Sequence, residues 1–279
     1  MDKVFGKPQP RLFADSGAYS ASTTGVQVSI QKYVEWIRRW EHLFDQYANL
    51  DVIGDADATL VNQKRLEDAG VRPVPVFHVG ESWEYLERYL DEYPLVALGG
   101  MVPHTRRMTK IFPWLIKAFR MLPKGKGYHG FGITGWRAMA SFPWQSVDSS
   151  SWGAGYMYGT ARYFDKRAGT FAEFSIMDKA ETWGHRRQLE NLGFNWKDFI
   201  DRTDKPLFGA KSKLRKVLCA LSARGYLDAE EWLTRRHGHS CVYLAHPLAS
   251  TAGGYEGLRK GEALHSGKYN GEWNGNREE

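Results

Sequence analysis

From residue 11 to residue 148 the sequence alternates short runs of β-branched and apolar residues with longer amphipathic stretches. This is the pattern of repeated βα units, whose strands pair in parallel because each helix carries the chain back to the same end of the sheet. Strands are predicted at Arg11–Asp15, Tyr47–Val52, Pro73–His78, Leu95–Leu98, Tyr128–Ile133 and Gln145–Asp148. Helices are predicted between them at Ser29–Phe44, Leu60–Ala69, Ser82–Glu92, Thr109–Leu122 and Trp136–Ser141, where apolar residues recur at helical spacing. The rhythm predicts an α/β chain of the TIM-like (β/α) barrel class, with irregular insertions and a helical C-terminal part.

The residues that end the strands carry more information than the strands do. In order they are Asp15 in Ala-Asp-Ser-Gly, Asp51 in Leu-Asp-Val-Ile-Gly-Asp, His78 in Val-Phe-His-Val-Gly, Gly99-Gly100-Met101, Gly132, and Asp148 in Ser-Val-Asp-Ser. In a (β/α) barrel the C-terminal strand ends surround one mouth, so these three carboxylates, the imidazole and the glycine turns are expected around a shared pocket.

After Trp152 the sequence becomes aromatic and punctuated by glycine, readable as a hairpin or a lid. Helices are predicted at Lys179–Leu192, Trp196–Asp201, Lys211–Ala223 and Ala229–Arg235, with a strand at Cys241–Ala245. Residues 1–249 are read as one (β/α)-barrel domain, mainly helical from about residue 179, and residues 250–279 as a Gly-rich polar tail.

A net charge of +6 favours anionic partners. Aromatic residues make up 14% of the chain, enough both to thicken a core and to supply faces on which bases stack. No apolar run approaches the ~20 residues of a membrane span, and the start lacks a signal-peptide core, so a cytoplasmic protein is expected. Two cysteines, Cys219 and Cys241, cannot build a disulfide scaffold, and no disulfide is expected. His237, His239 and Cys241, followed by His246, alternate as on one strand face; zinc is conceivable there, but the spacing fits no familiar structural-zinc template, and no cofactor is assigned.

Asp-Ser-Gly-Ala-Tyr-Ser at positions 15 to 20 resembles the Asp-Ser-Gly-Gly-Phe-Gln segment of the tRNA-guanine transglycosylases, and Ala-Leu-Gly-Gly-Met at 97 to 101 resembles their Gly-Gly-Leu turn. Val-Phe-His-Val-Gly stands where that family has Val-Gln-Gly-Gly. His129-Gly-Phe-Gly-Ile-Thr lies near the place of Met-Gly-Val-Gly, and Ser-Val-Asp-Ser-Ser-Ser-Trp occupies the place of the nucleophile segment. Order and spacing carry the resemblance over residues 11 to 152. It is closest to the phage-type branch that puts 7-deazaguanines into DNA, on Leu-Asp-Val-Ile-Gly-Asp and Val-Asp-Ser. Two departures stand out: His78 replaces a glutamine that reads the base, and the family's Cys-x-Cys-x-x-Cys…His zinc site is missing.

The resemblance implies a pentosyltransferase that exchanges guanine in DNA for a free 7-deazaguanine such as 7-cyano-7-deazaguanine. A tRNA-directed enzyme and a non-catalytic nucleic-acid- or purine-binding barrel are the alternatives. It implies Asp148 as nucleophile, Asp15 as acid/base, and Asp51, His78, Gly99, Gly100, Tyr19 and Phe77 around the base. Such chemistry needs one carboxylate to hold the sugar while bases change places and a second to move a proton. Phe13 and Trp152 are further stacking candidates, since the target base must be flipped out or single-stranded. Arg106, Arg107, Lys124 and Lys126 are read as phosphate contacts, with the run from Lys211 to Lys216 as another basic candidate. Each residue also has an ordinary structural reading: Asp commonly caps the helix after a strand, and basic pairs commonly sit on solvated faces.

Overall fold

The computed structural model describes residues 12–18, 28–101, 108–133, 135–209 and 212–244. The chain divides into two units, one running to Asp148 and the other from Ser149 to Leu244. The Gly-rich segment from residue 250 lies outside the described residues, as do Tyr19, Arg106, Arg107, Lys211 and His246.

In the first unit each short apolar run supplies a strand. The strands are β1 (Phe13–Ala14), β2 (Gln46–Tyr47), β3 (Val76–His78), β4 (Leu95–Gly99), β5 (Gly127–Gly130) and β6 (Ser146–Ser149). The helices between them are α1 (Ile30–Trp40), α2 (Ala56–Asp68), α3 (Trp83–Glu92), α4 (Met108–Met121) and α5 (Trp136–Ser141). The pairs β1–β2, β3–β4, β4–β5 and β5–β6 are all parallel. A parallel bridge between Ala48 and Val74 links the two sets, with Asn49 N–H donating to Val74 O at 2.9 Å. Strand order therefore follows chain order, with no reversal.

This parallel sheet is curled. In a flat sheet four strand spacings would hold β1 and β5 roughly 19 Å apart. Instead, Phe13 of β1 stacks on His129 of β5, with ring centroids 4.1 Å apart, and meets Phe131 edge-on at 5.7 Å. The inner face carries Val74, Val76 and Ala97 with Phe13, Leu95 and Phe131 packed on them. Side chains on the other face of the strands pack against helices, as with Phe77 of β3, stacked on Trp114 of α4 at 5.6 Å.

The second unit contains the short helix α6 (Gly155–Tyr158) and an antiparallel hairpin of β7 (Thr160–Asp165) and β8 (Thr170–Ser175). Helices α7 (Lys179–Gly184), α8 (Arg186–Asn191) and α9 (Lys213–His237) follow, then strand β9 (Val242–Leu244). The hairpin occupies the stretch read as a hairpin or lid. The two helices predicted at Lys211–Ala223 and Ala229–Arg235 are one helix of 25 residues. Gly225, in its middle, does not break it. A Cβ there would stand 3.1 Å from Tyr163 Cα and Phe164 N, so the glycine lets α9 lie directly on β7. Tyr163, Phe174, Phe199, Leu214 and Leu221 fill the core beneath. Cys219 and Cys241 are thiols. Among the described residues no helix is long and apolar enough to cross a membrane.

Candidate active site

Because all strands of the first unit run the same way, their C-terminal ends lie together, and Asp15, Asp51, His78, Gly99 and Asp148 sit at those ends. Asp51 is nine-tenths buried and accepts from Ser16 Oγ on Oδ1 (3.3 Å), while His78 Nε2 lies 2.9 Å from its Oδ2. The other ring nitrogen of His78, Nδ1, lies 3.0 Å from Glu81 Oε1, and Glu81 Oε2 accepts from the His78 backbone N–H at 2.9 Å. Glu81 returns to His78 because the turn between them bends at Gly80, whose φ of 99° is open to glycine.

Burial opposes protonation of His78, but the two flanking carboxylates outweigh it and push its pKa up to about 9. At neutral pH the imidazolium donates from both ring nitrogens. It therefore acts on Asp51 and has no ring nitrogen left to read a base. Glu81 was not among the residues singled out from the sequence; an acid three residues past a strand-end histidine, across a glycine, was its only signal.

Asp148 is partly buried on β6 and accepts from the backbone N–H of Gly132, the turn glycine after β5. Burial raises its pKa to about 7; the Gly132 N–H opposes the shift and the nearby charge of Asp15 adds to it. Asp15 is exposed to solvent, yet the protein around its carboxyl removes part of its hydration. That desolvation raises its pKa, Gly17 N–H at 3.2 Å opposes the rise, and the charge on Asp51 adds to it. The three carboxylates thus form one electrostatically coupled group. Behind Asp148, His129 is fully buried, joined to Ser146 Oγ through Nδ1 at 2.8 Å, and held neutral by burial with a pKa of about 3.

The ordinary structural reading fails for Asp51: the cap of α2 is Asp55, whose Oδ1 accepts from Ala58 N–H at 2.9 Å. Asp15 does accept from a residue two positions on, but its electrostatic partners belong to other strands. The bare face of Gly99 is taken by its neighbour across the sheet. His78 pairs with Gly99 in register, and a Cβ on Gly99 would lie 2.8 Å from His78 Cδ2. Gly100, at φ 72°, turns the chain directly after β4.

Several sequence assignments need correction. Phe77 is fully buried among Trp83 and Trp114, because successive residues of a strand face opposite ways and His78 takes the inner face. It cannot stack on a base at the strand ends. Lys124 and Lys126 precede β5 and so lie at the opposite end of the sheet from Asp15 and Asp148. Lys126 Nζ donates to the carbonyls of Leu90 and Asp91 at the end of α3. Phe13 is engaged by His129 and Phe131. Trp152 lies in a 3₁₀ turn of the second unit.

His237 ends α9 and Gly238 leaves the helix at φ 82°, so His237, His239 and Cys241 do not share a strand face. Among the described residues no group of three or more His, Cys, Asp or Glu side chains is placed to hold a metal ion. No protein-family model matches the sequence, and no curated protein matches it.

Proposed function

We propose that this chain is a transglycosylase that exchanges guanine in DNA for a 7-deazaguanine base through a covalent Asp148–sugar intermediate, on a TIM-like (β/α) barrel related to the tRNA-guanine transglycosylases. The observation that carries the reading is the placement of Asp15, Asp51 and Asp148 at the C-terminal ends of the parallel strands, with Asp51 held by Ser16 and His78 and Asp148 held by the Gly132 N–H; the raised pKa values of Asp15 and Asp148 agree with it. Six parallel strands in chain order, curled until Phe13 meets His129, support the barrel.

A carboxylate of Asp148 attacks the sugar carbon, and the carbon–nitrogen bond to guanine breaks. Asp15, protonated at the start, gives its proton to the departing base, recovers one from the incoming base, and the steps then run in reverse. Gly132 N–H steadies the ionised form of Asp148 before attack. Asp51 reads the base. Guanine and 7-deazaguanine present the same N1–H and exocyclic amine, two donors that suit one carboxylate, so a single acceptor serves both leaving and arriving bases. His78 and Glu81 hold that carboxylate in place, and the imidazolium offsets one of the two flanking negative charges.

The test is mass spectrometry of nucleosides from DNA and from tRNA after incubation with 7-cyano-7-deazaguanine and related bases. The reading expects a 7-deazaguanine nucleoside in the DNA and an equal release of guanine. Modification of tRNA alone transfers the proposal to the RNA substrate. Absence of exchange in both leaves a binding barrel.

A further inference from the structure

The second unit holds a cavity of about 160 Å³ lined by Ala154, Tyr158, Thr160, Arg162, Leu218 and Ser222, with Gly155 and Glu173 completing it. Arg162 is the unusual member. Its guanidinium lies over the Phe171 ring at 4.1 Å and reaches Tyr226 Oη only at 3.4 Å. Its Nε is buried without a hydrogen-bond partner, and among the described residues it forms no ion pair. Glu173 stands directly opposite in the hairpin register and leaves it unpaired. A half-buried guanidinium is costly without an anion, and its planar donors suit phosphate oxygens.

Two further observations say which anion. Tyr158, on the cavity wall, is 71% exposed, and Met177, which is 60% exposed, lies against the adjoining Gly159. A large aromatic held in the open beside a cation is a platform on which a base can stack. In addition, residues 149–244 carry sixteen Lys and Arg against eleven Asp and Glu, which is most of the chain's net charge of +6.

We propose that this cavity binds single-stranded DNA, taking one phosphodiester at Arg162, with the hydroxyls of Thr160 and Ser222 beside it, and stacking the adjacent base on Tyr158. The choice of DNA rests on the base-exchange reading; the anion and stacking sites rest on the geometry. The carboxylate of Glu173 disfavours a free dianion and tolerates the single charge of a phosphodiester.

The experiment is fluorescence anisotropy of a labelled single-stranded DNA oligonucleotide with the full chain, read without any free base. Tyr158→Ala removes an exposed side chain and should weaken binding roughly tenfold or more. Arg162→Gln should weaken it similarly and flatten its salt dependence, while Glu173→Gln should tighten it. Wild-type affinity in both Tyr158→Ala and Glu173→Gln, or binding confined to RNA, would overturn the proposal whatever the exchange assay shows.

Discussion

Asp148 is held half-ionised near neutral pH, which ties stability and activity to the same titration. A carboxyl whose pKa rises from 3.8 to about 7 on folding binds its proton more tightly in the native state, so stability falls as pH climbs through that window. Asp148→Asn should therefore melt like wild type near pH 4 and be more stable above pH 7, by on the order of 1–3 kcal/mol. Wild-type exchange should fall as pH drops below about 7, because attack needs the ionised form. Thermal melts and a pH–rate profile check the pair. His78 behaves in the same sense over a higher window: its contribution is complete below the ordinary value of 6.5 and lost as pH rises towards about 9. Titration of its ring by NMR should show that raised midpoint, and Glu81→Gln should lower it. At this scale the sequence exposed the strand-end residues Asp15, Asp51, His78 and Asp148 but not their contacts. Phe77 and His78 are adjacent letters on opposite faces, and Glu81 meets His78 only because Gly80 turns the chain.

Among the elements, strands and helices of the first unit were legible because apolar spacing and β-branched runs agree there. Strands β1, β2, β3 and β5 are shorter than predicted, with a single-residue bridge from Ala48 to Val74 standing between β2 and β3 in place of a longer ladder, whereas β4 and α2 are longer. The long helix α9 was less legible. Gly225 and the residues around it read locally as a break, whereas tertiary packing on β7 outweighs a glycine's weak helix propensity, a cost of about 1 kcal/mol. The difference is testable. Gly225→Ala would improve propensity in an isolated helix, but its Cβ meets the backbone of Tyr163 and Phe164 at 3.1 Å. It should lower stability by about 1–3 kcal/mol, measured by denaturant melts, with α9 and the hairpin affected together. Element direction also decided the fate of Lys124 and Lys126, because a residue before a parallel strand belongs to the other end of the sheet.

For the molecule as a whole, the first unit brings together carboxylates that begin and end its sequence, and the second carries most of the net charge of +6. Convergence of the strand ends was legible from the βα rhythm. The hairpin and its cavity were not, because an aromatic, Gly-rich stretch has no period that names a structure. Binding of the full chain to DNA should weaken steeply as salt rises, since Lys and Arg displace counterions condensed on phosphates. The central claim, though, is covalent chemistry at Asp148. A denaturing gel of wild type mixed with single-stranded guanine-containing DNA, quenched during exchange, tests it most directly. The account predicts a protein–DNA adduct in wild type, none in folded Asp148→Asn, and exchange slowed by about 10²–10⁴-fold in Asp15→Asn. An undiminished adduct in folded Asp148→Asn would contradict it and move the nucleophile to another carboxylate.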